Sequence, residues 1–139
     1  MRNYLFDTDV LISILRGKDL SFKRRLETLR AQKSGLWVSV ISLRELYHGA
    51  FKSENPPKNL FLIQQLNNHL RIIDIDENVA FLYGEIQATL EKSGEKVGDF
   101  DVLIASAAIQ EKLTLVSGNA RHFQRIVDVF GQLKFEVWN

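Results

Sequence analysis

Short runs of β-branched and aromatic residues alternate along this chain with longer stretches at helical spacing, and that alternation leaves few folds open. Strand and helix in regular alternation call for βαβ units, hence a parallel sheet covered by helices. Asn3 to Phe6 reads as the first strand, and Leu36-Trp37-Val38-Ser39 as the second, after a Ser34-Gly35 break. Leu70-Arg71-Ile72-Ile73 is the third, Leu113-Thr114-Leu115-Val116 the fourth, and Lys134 to Val137 a short fifth. The helical stretches place Leu11, Ile14 and Leu15 on one face, then Phe22, Leu26 and Leu29 on another. Ile41 to Phe51 carries a stripe of Leu43, Leu46, Tyr47 and Ala50. Asn55-Pro56-Pro57 is the clearest punctuation; Pro57 suits the first turn of a helix that continues through Leu60 to Leu66. Val79 to Leu90 reads as a long amphipathic helix closed by Ser93-Gly94, and Asp101 opens a further helix, Val102 to Ile109. That last helix is apolar almost all round and belongs in the interior. No repeat, low-complexity tract or linker divides residues 1–139, so the expectation is a single domain.

Composition narrows the chemistry. Hydrophobic residues are 45% and charged residues 25% of the chain, the profile of a soluble globular protein. Cysteine is absent, which removes disulfides and thiolate metal sites and is compatible with a cytoplasmic location. The opening MRNYLFDTD holds only a three-residue apolar run, so no secretory leader is expected, and no apolar stretch is long enough for a membrane span. Net charge is +1, yet Arg16, Lys18, Lys23, Arg24, Arg25, Arg30 and Lys33 face only Asp19 and Glu27 in their stretch. Such an excess can follow a phosphate backbone, or it can be a solvated helix face.

The acidic residues have a pattern of their own. Asp7 and Asp9 follow the first strand, Glu45 lies on the helix after the second, and Asp101 begins the most apolar helix. Each has a plain structural explanation: a helix cap for Asp7, Asp9 or Asp101, and a solvent-exposed Glu45 paired with Arg44 or His48. In open parallel sheets, however, ligands bind at the carboxyl ends of the strands. Three carboxylates gathered there would repel one another unless a divalent cation neutralised them. Oxygen donors without cysteine or clustered histidine suit Mg²⁺ or Mn²⁺ rather than zinc. The three histidines, His48, His69 and His122, have no ligand-like spacing and read as structural or surface residues.

These stretches, taken in order, resemble the PIN-domain ribonucleases, and within them the VapC-type toxins of toxin–antitoxin pairs. The resemblance is carried by Tyr4-Leu5-Phe6-Asp7-Thr8-Asp9-Val10-Leu11 and by the run from Ser39 to Ala50, with Leu43-Arg44-Glu45-Leu46 at its centre. Later come Val97-Gly98-Asp99-Phe100-Asp101-Val102-Leu103-Ile104-Ala105, Leu115-Val116-Ser117-Gly118-Asn119-Ala120-Arg121-His122-Phe123 and the closing Phe135-Glu136-Val137-Trp138. It spans the whole chain and implies an α/β/α sandwich around a central parallel sheet of about four to five strands.

The resemblance further implies a Mg²⁺-dependent endoribonuclease (Mn²⁺ being the alternative ion) with Asp7, Glu45 and Asp101 as catalytic and metal-binding acids. Asp9, Ser117, Asn119 and Asp99 would support them. Asn119 stands where the family has a fourth acid, so a second metal would bind more weakly. Cleavage would leave a 5′-phosphate and a 3′-hydroxyl. The implied partners are RNA, held in part by Lys23, Arg24 and Arg25, a VapB-type antitoxin, and a second copy of the chain. Two other readings stay open at this point. Asp7-Thr8-Asp9 also mimics the opening of haloacid-dehalogenase-like phosphatases, with Asp7 as nucleophile. A PIN module that binds RNA without cleaving it is the other.

Overall fold

The computed structural model describes residues 2–17 and 19–139; Lys18, one cation of the basic stretch, lies outside them. Among the described residues five strands and seven helices follow one another as β1 (Asn3–Phe6), α1 (Thr8–Arg16), α2 (Leu20–Ala31), β2 (Gly35–Ser39), α3 (Val40–Lys52), α4 (Pro56–Asn67), β3 (Arg71–Ile73), α5 (Glu77–Lys92), α6 (Asp99–Gln110), β4 (Thr114–Ser117), α7 (Ala120–Phe130) and β5 (Phe135–Val137). All strand pairs are parallel and the sheet order is β3-β2-β1-β4-β5.

Period-two alternation sorts the strand residues between two cores. Tyr4 and Phe6 of β1 and Val116 of β4 join Leu11, Phe22, Leu43, Leu46, Ile63 and Trp138 on one face. Leu5 and Leu115 point the other way, into Ile86, Leu90, Val102, Ile104, Phe123 and Ile126. The sheet is therefore covered on both sides, α1 to α4 on one and α5 to α7 on the other. That is the α/β/α sandwich expected from the sequence.

Helix boundaries follow local chemistry. Asp7, Asp19, Ser39, Asn55 and Asp76 each accept a backbone N–H from the first turn of the helix they cap. Gly17 and Gly131 end α1 and α7 in the left-handed conformation, with φ of 65° and 83°. As the apolar sequence requires, α6 is buried, with Val102, Ile104, Ala105, Ala107 and Ala108 all nearly inaccessible.

The sequence pattern leaves one element unassigned, and one boundary needs correction. The stretch between the fourth and fifth strands is helix α7; Phe123, Ile126, Val127 and Phe130 mark it at helical spacing. The helix expected to open at Asp101 starts at Asp99, with Gly98 as its cap, so Asp101 sits within the first turn. A glycine carries no capping oxygen, so the cap had no side-chain signature to read.

The order β3-β2-β1-β4-β5 reverses direction between β1 and β4. At such a switch point the loops leave the sheet on opposite sides and open a crevice beyond the strand carboxyl ends.

Candidate active site

Asp7 is the residue that follows β1 into that crevice. Its backbone N–H still belongs to the sheet, donating to Val116 O at 2.8 Å. Its Oδ1 accepts the Thr8 N–H at 2.8 Å and its Oδ2 accepts the hydroxyl of Ser117 at 2.8 Å. Ser117 is wholly buried at the end of β4, and it accepts in turn the Asn119 N–H at 2.9 Å. Asp7 thus caps α1 and occupies the crevice at once; the structural and functional explanations are the same geometry. Only 6% of its surface is exposed. Burial pushes its pKa from 3.8 up to about 6, helped by the charges of Asp9 and Asp101 and opposed by the Ser117 and Thr8 bonds.

Asp9 lies in the first turn of α1. Its Oδ1 accepts the Val10 N–H at 2.8 Å and its Oδ2 the Gly118 N–H at 3.1 Å, which ties α1 to the loop after β4. Burial raises its pKa as well. A Cβ at position 118 would stand 2.7 Å from Asp9 Oδ2, so a larger residue there would displace that carboxylate.

Asp101 enters the same group from α6, since its charge acts on both Asp7 and Asp9. Its Oδ2 lies 2.8 Å from Nδ1 of His122 on α7, and the side-chain amide of Asn119 meets the same Nδ1 at 2.9 Å. Nδ1 faces both groups: it donates to the Asp101 carboxylate when it carries the proton and accepts from Asn119 Nδ2 when it does not. His122 is therefore a site residue, where the sequence had read it as structural or surface. The signal was present as Asn119-x-x-His122, one helical turn on a helix the strand pattern did not reveal. His48 and His69 are exposed, as expected.

Asp99 is separated from this group. Tyr83 Oη donates to its Oδ1 at 2.8 Å and Gln87 Nε2 at 3.1 Å, both from α5. It supports the site by anchoring the first turn of α6, not by bonding to the other acids. Asn119, in the position of a fourth acid, donates its backbone N–H to Ser117 Oγ and lays its side-chain amide 2.9 Å from His122 Nδ1.

Glu45 shares no hydrogen bond with Asp7, Asp9 or Asp101. Leu43, Leu46 and Ala50 turn the buried stripe of α3 to the core and leave Glu45 at its edge, 41% exposed. Its Oε1 lies 3.5 Å from Arg44 Nη2.

Of the basic cluster, Lys23, Arg24 and Arg25 are all exposed on α2. The helix is not remote from the acids. Phe22 packs against Trp138 with ring centroids 5.8 Å apart, and the Arg25 guanidinium lies 5.5 Å from the same indole. Trp138 N in turn donates to Ser117 O at 3.0 Å.

Asp7 and Asp101 are the oxygen donors that could hold a cation, and they suit a hard one. Among the described residues no three acids or imidazoles are drawn together tightly enough to enclose a metal ion. Thr8 Oγ1, buried next to Asp7 without a partner, leaves one further polar atom unsatisfied there.

Comparison with known proteins adds identity to geometry. The PIN domain family model matches residues 4–129. The chain is 36% identical over 139 residues to "Ribonuclease VapC2" of Haemophilus influenzae, covering 99% of both. It is 32% identical to the "tRNA(fMet)-specific endonuclease VapC" of Shigella flexneri over the full length of each. Among solved structures it superposes on a chain of VapBC2 from Rickettsia felis, bound to a DNA fragment of its promoter. The TM-score is 0.89, with 34% identity and 99% of each chain covered.

Proposed function

This chain belongs to the PIN domain family, and from that premise we propose that it is the VapC-type endoribonuclease toxin of a toxin–antitoxin pair, cleaving RNA with a divalent cation. The observation that carries the reading is Asp7: a buried carboxyl at the switch point, held on both oxygens and strained electrostatically by Asp9 and Asp101. A buried carboxyl perturbed in this way beside a crevice points to a functional site in addition to its role as a cap.

On this reading Asp7 and Asp101 hold the cation, and Glu45 is the third acid. Mg²⁺ or Mn²⁺ bound there would polarise the scissile phosphodiester and acidify the attacking water. The chain's own residues do the rest. Ser117 and the Thr8 N–H fix the rotamer of Asp7, His122 fixes that of Asp101, and Asp9 holds the Gly118 loop against α1. With the acids pre-positioned, little reorganisation is needed when substrate arrives. Water adds to phosphorus in line and the 3′-oxygen leaves, giving a 5′-phosphate and a 3′-hydroxyl. Lys23, Arg24 and Arg25 contribute charge for the RNA backbone. The relative specific for tRNA(fMet) makes tRNA the first substrate to try.

The partner reading rests on the VapBC complexes among similar structures. It is supported by a recess of about 300 Å³ lined by Ile12, Leu15, Leu46 and Ile63, with Arg16 and Glu45 among its polar members. An apolar segment of an antitoxin would bury that surface, and a cation beside it would meet Glu45. A homodimer is part of the same proposal. No helix among the described residues is long and apolar enough to cross a membrane. Neither the phosphatase nor the non-catalytic alternative gains support from any observation.

The test is cleavage of a labelled RNA pool with Mg²⁺, with EDTA in its place, and with the Asp7→Asn chain. Cleavage only by the unmodified chain with metal is the expected result. Cleavage that persists in Asp7→Asn overturns the site.

A further inference from the structure

Phe100 is exposed in a place where the fold gives it nothing to cover. It keeps 45% of its surface in the second position of α6, directly before Asp101. Among the described residues it is the one large exposed apolar side chain that adjoins a site acid in the chain. It is not isolated, however. The guanidinium of Arg44, on α3, lies 4.1 Å from the centre of its ring. The pair thereby bridges the helix carrying Glu45 and the helix carrying Asp101, and Arg44 is itself 46% exposed.

Resting on the nuclease reading above, we propose that Phe100 and Arg44 form a stacking platform for an unpaired nucleobase next to the scissile bond. The chemistry is that of single-strand binding: every base has a π-face to lay on an aromatic ring, and duplex bases have none free. Arg44 fits the role twice, since a guanidinium both stacks on the ring and reaches a phosphate with paired donors. The adjoining helix end is receptive as well. Gly98 caps α6 with no side-chain bond, so the first N–H groups of α6 remain unsatisfied by any capping side chain, at the positive end of the helix dipole. Phosphate lying over that turn brings its attached base to Phe100.

The experiment measures KM and kcat for cleavage of a short unpaired oligoribonucleotide and of the same sequence closed into a hairpin stem. Binding of the unpaired strand to the Asp7→Asn chain is followed in parallel by fluorescence anisotropy. For Phe100→Ala, KM and Kd for the unpaired strand should rise about 10-fold or more, with kcat and thermal midpoint near those of the unmodified chain. Preference for the unpaired strand should fall accordingly. Phe100→Tyr should restore it, whereas Phe100→Leu, apolar but without a π-face, should not. A cleaving chain indifferent to Phe100→Ala overturns the platform alone. So does a variant that loses self-association or antitoxin binding while its RNA constants stand. A chain that neither binds nor cleaves any RNA overturns the nuclease reading and the platform with it.

Discussion

The hydroxyl of Ser117 donates to Oδ2 of Asp7 at 2.8 Å, joining two residues 110 positions apart in the chain. The bond spans adjacent strands, since β1 and β4 pair with Phe6 opposite Val116 and each strand then delivers its next residue to the crevice. It is the one side-chain bond that draws Asp7 toward the ionised state against its burial.

Ser117→Ala should therefore weaken metal dependence more than it weakens the fold. A lost outer-shell bond of this type costs about 10- to 100-fold in metal affinity or activity. The stability cost should be about 1 kcal/mol, because Asn119 N–H also loses its acceptor. A Mg²⁺ titration of the cleavage rate decides the matter; an unshifted half-saturation point would refute it.

Asp7 ties stability to pH in a direction opposite to the usual carboxylate. Its folded pKa is raised from 3.8 to about 6, so the folded state holds the proton more tightly than the unfolded one. Its contribution is complete below 3.8 and is lost as pH rises through about 6. For metal-free protein that loss amounts to about 2–3 kcal/mol. Asp7→Asn should abolish cleavage yet stabilise the metal-free chain near neutral pH, and the gain should shrink toward acid pH. Denaturant titrations in EDTA across that range would show it. A variant less stable than its parent at neutral pH would count against the buried-charge account.

His122→Ala should cut cleavage by about 10-fold through loss of the partner that orients Asp101. Because His122 is 36% exposed, its removal should leave stability within about 0.5 kcal/mol. Rates and melting temperatures measured on the same preparations separate the two effects. Equal activity in variant and parent would return His122 to a surface role.

Reversing charge on α2 probes RNA contact without touching the acids. Lys23→Glu with Arg24→Glu is preferable to changing Arg25, which lies over Trp138 and contributes to packing. The double variant should raise KM for RNA and flatten its dependence on salt, with the Mg²⁺ requirement unchanged. A salt slope equal to that of the unmodified chain would exclude α2 from the interface.

The sequence by itself determined the architecture. Alternating strands and helices with two-sided apolar strands leave a parallel sheet between helical layers as the only way to bury every strand, and the PIN motifs fell on its crevice in order. It also placed Asp7, because a residue that ends a strand has its position set by the ladder. Helical residues were another matter. Asp99 and Asp101 stand two apart on α6, so their side chains diverge by about 200°. The spacing says that one of them must turn from the crevice, but packing against α5 decides which. Tyr83 and Gln87 take Asp99, and Asp101 is left to meet His122, carried there by a helix whose docking onto the sheet no local pattern states. Glu45 shows the same limit: its place in the chain promised a third acid, but the direction of its side chain, which lies beside Arg44, is set by the roll of α3 about its apolar stripe. Strand registers follow from hydrogen bonds between neighbours, whereas the direction of a helical side chain depends on how the whole helix settles against its core.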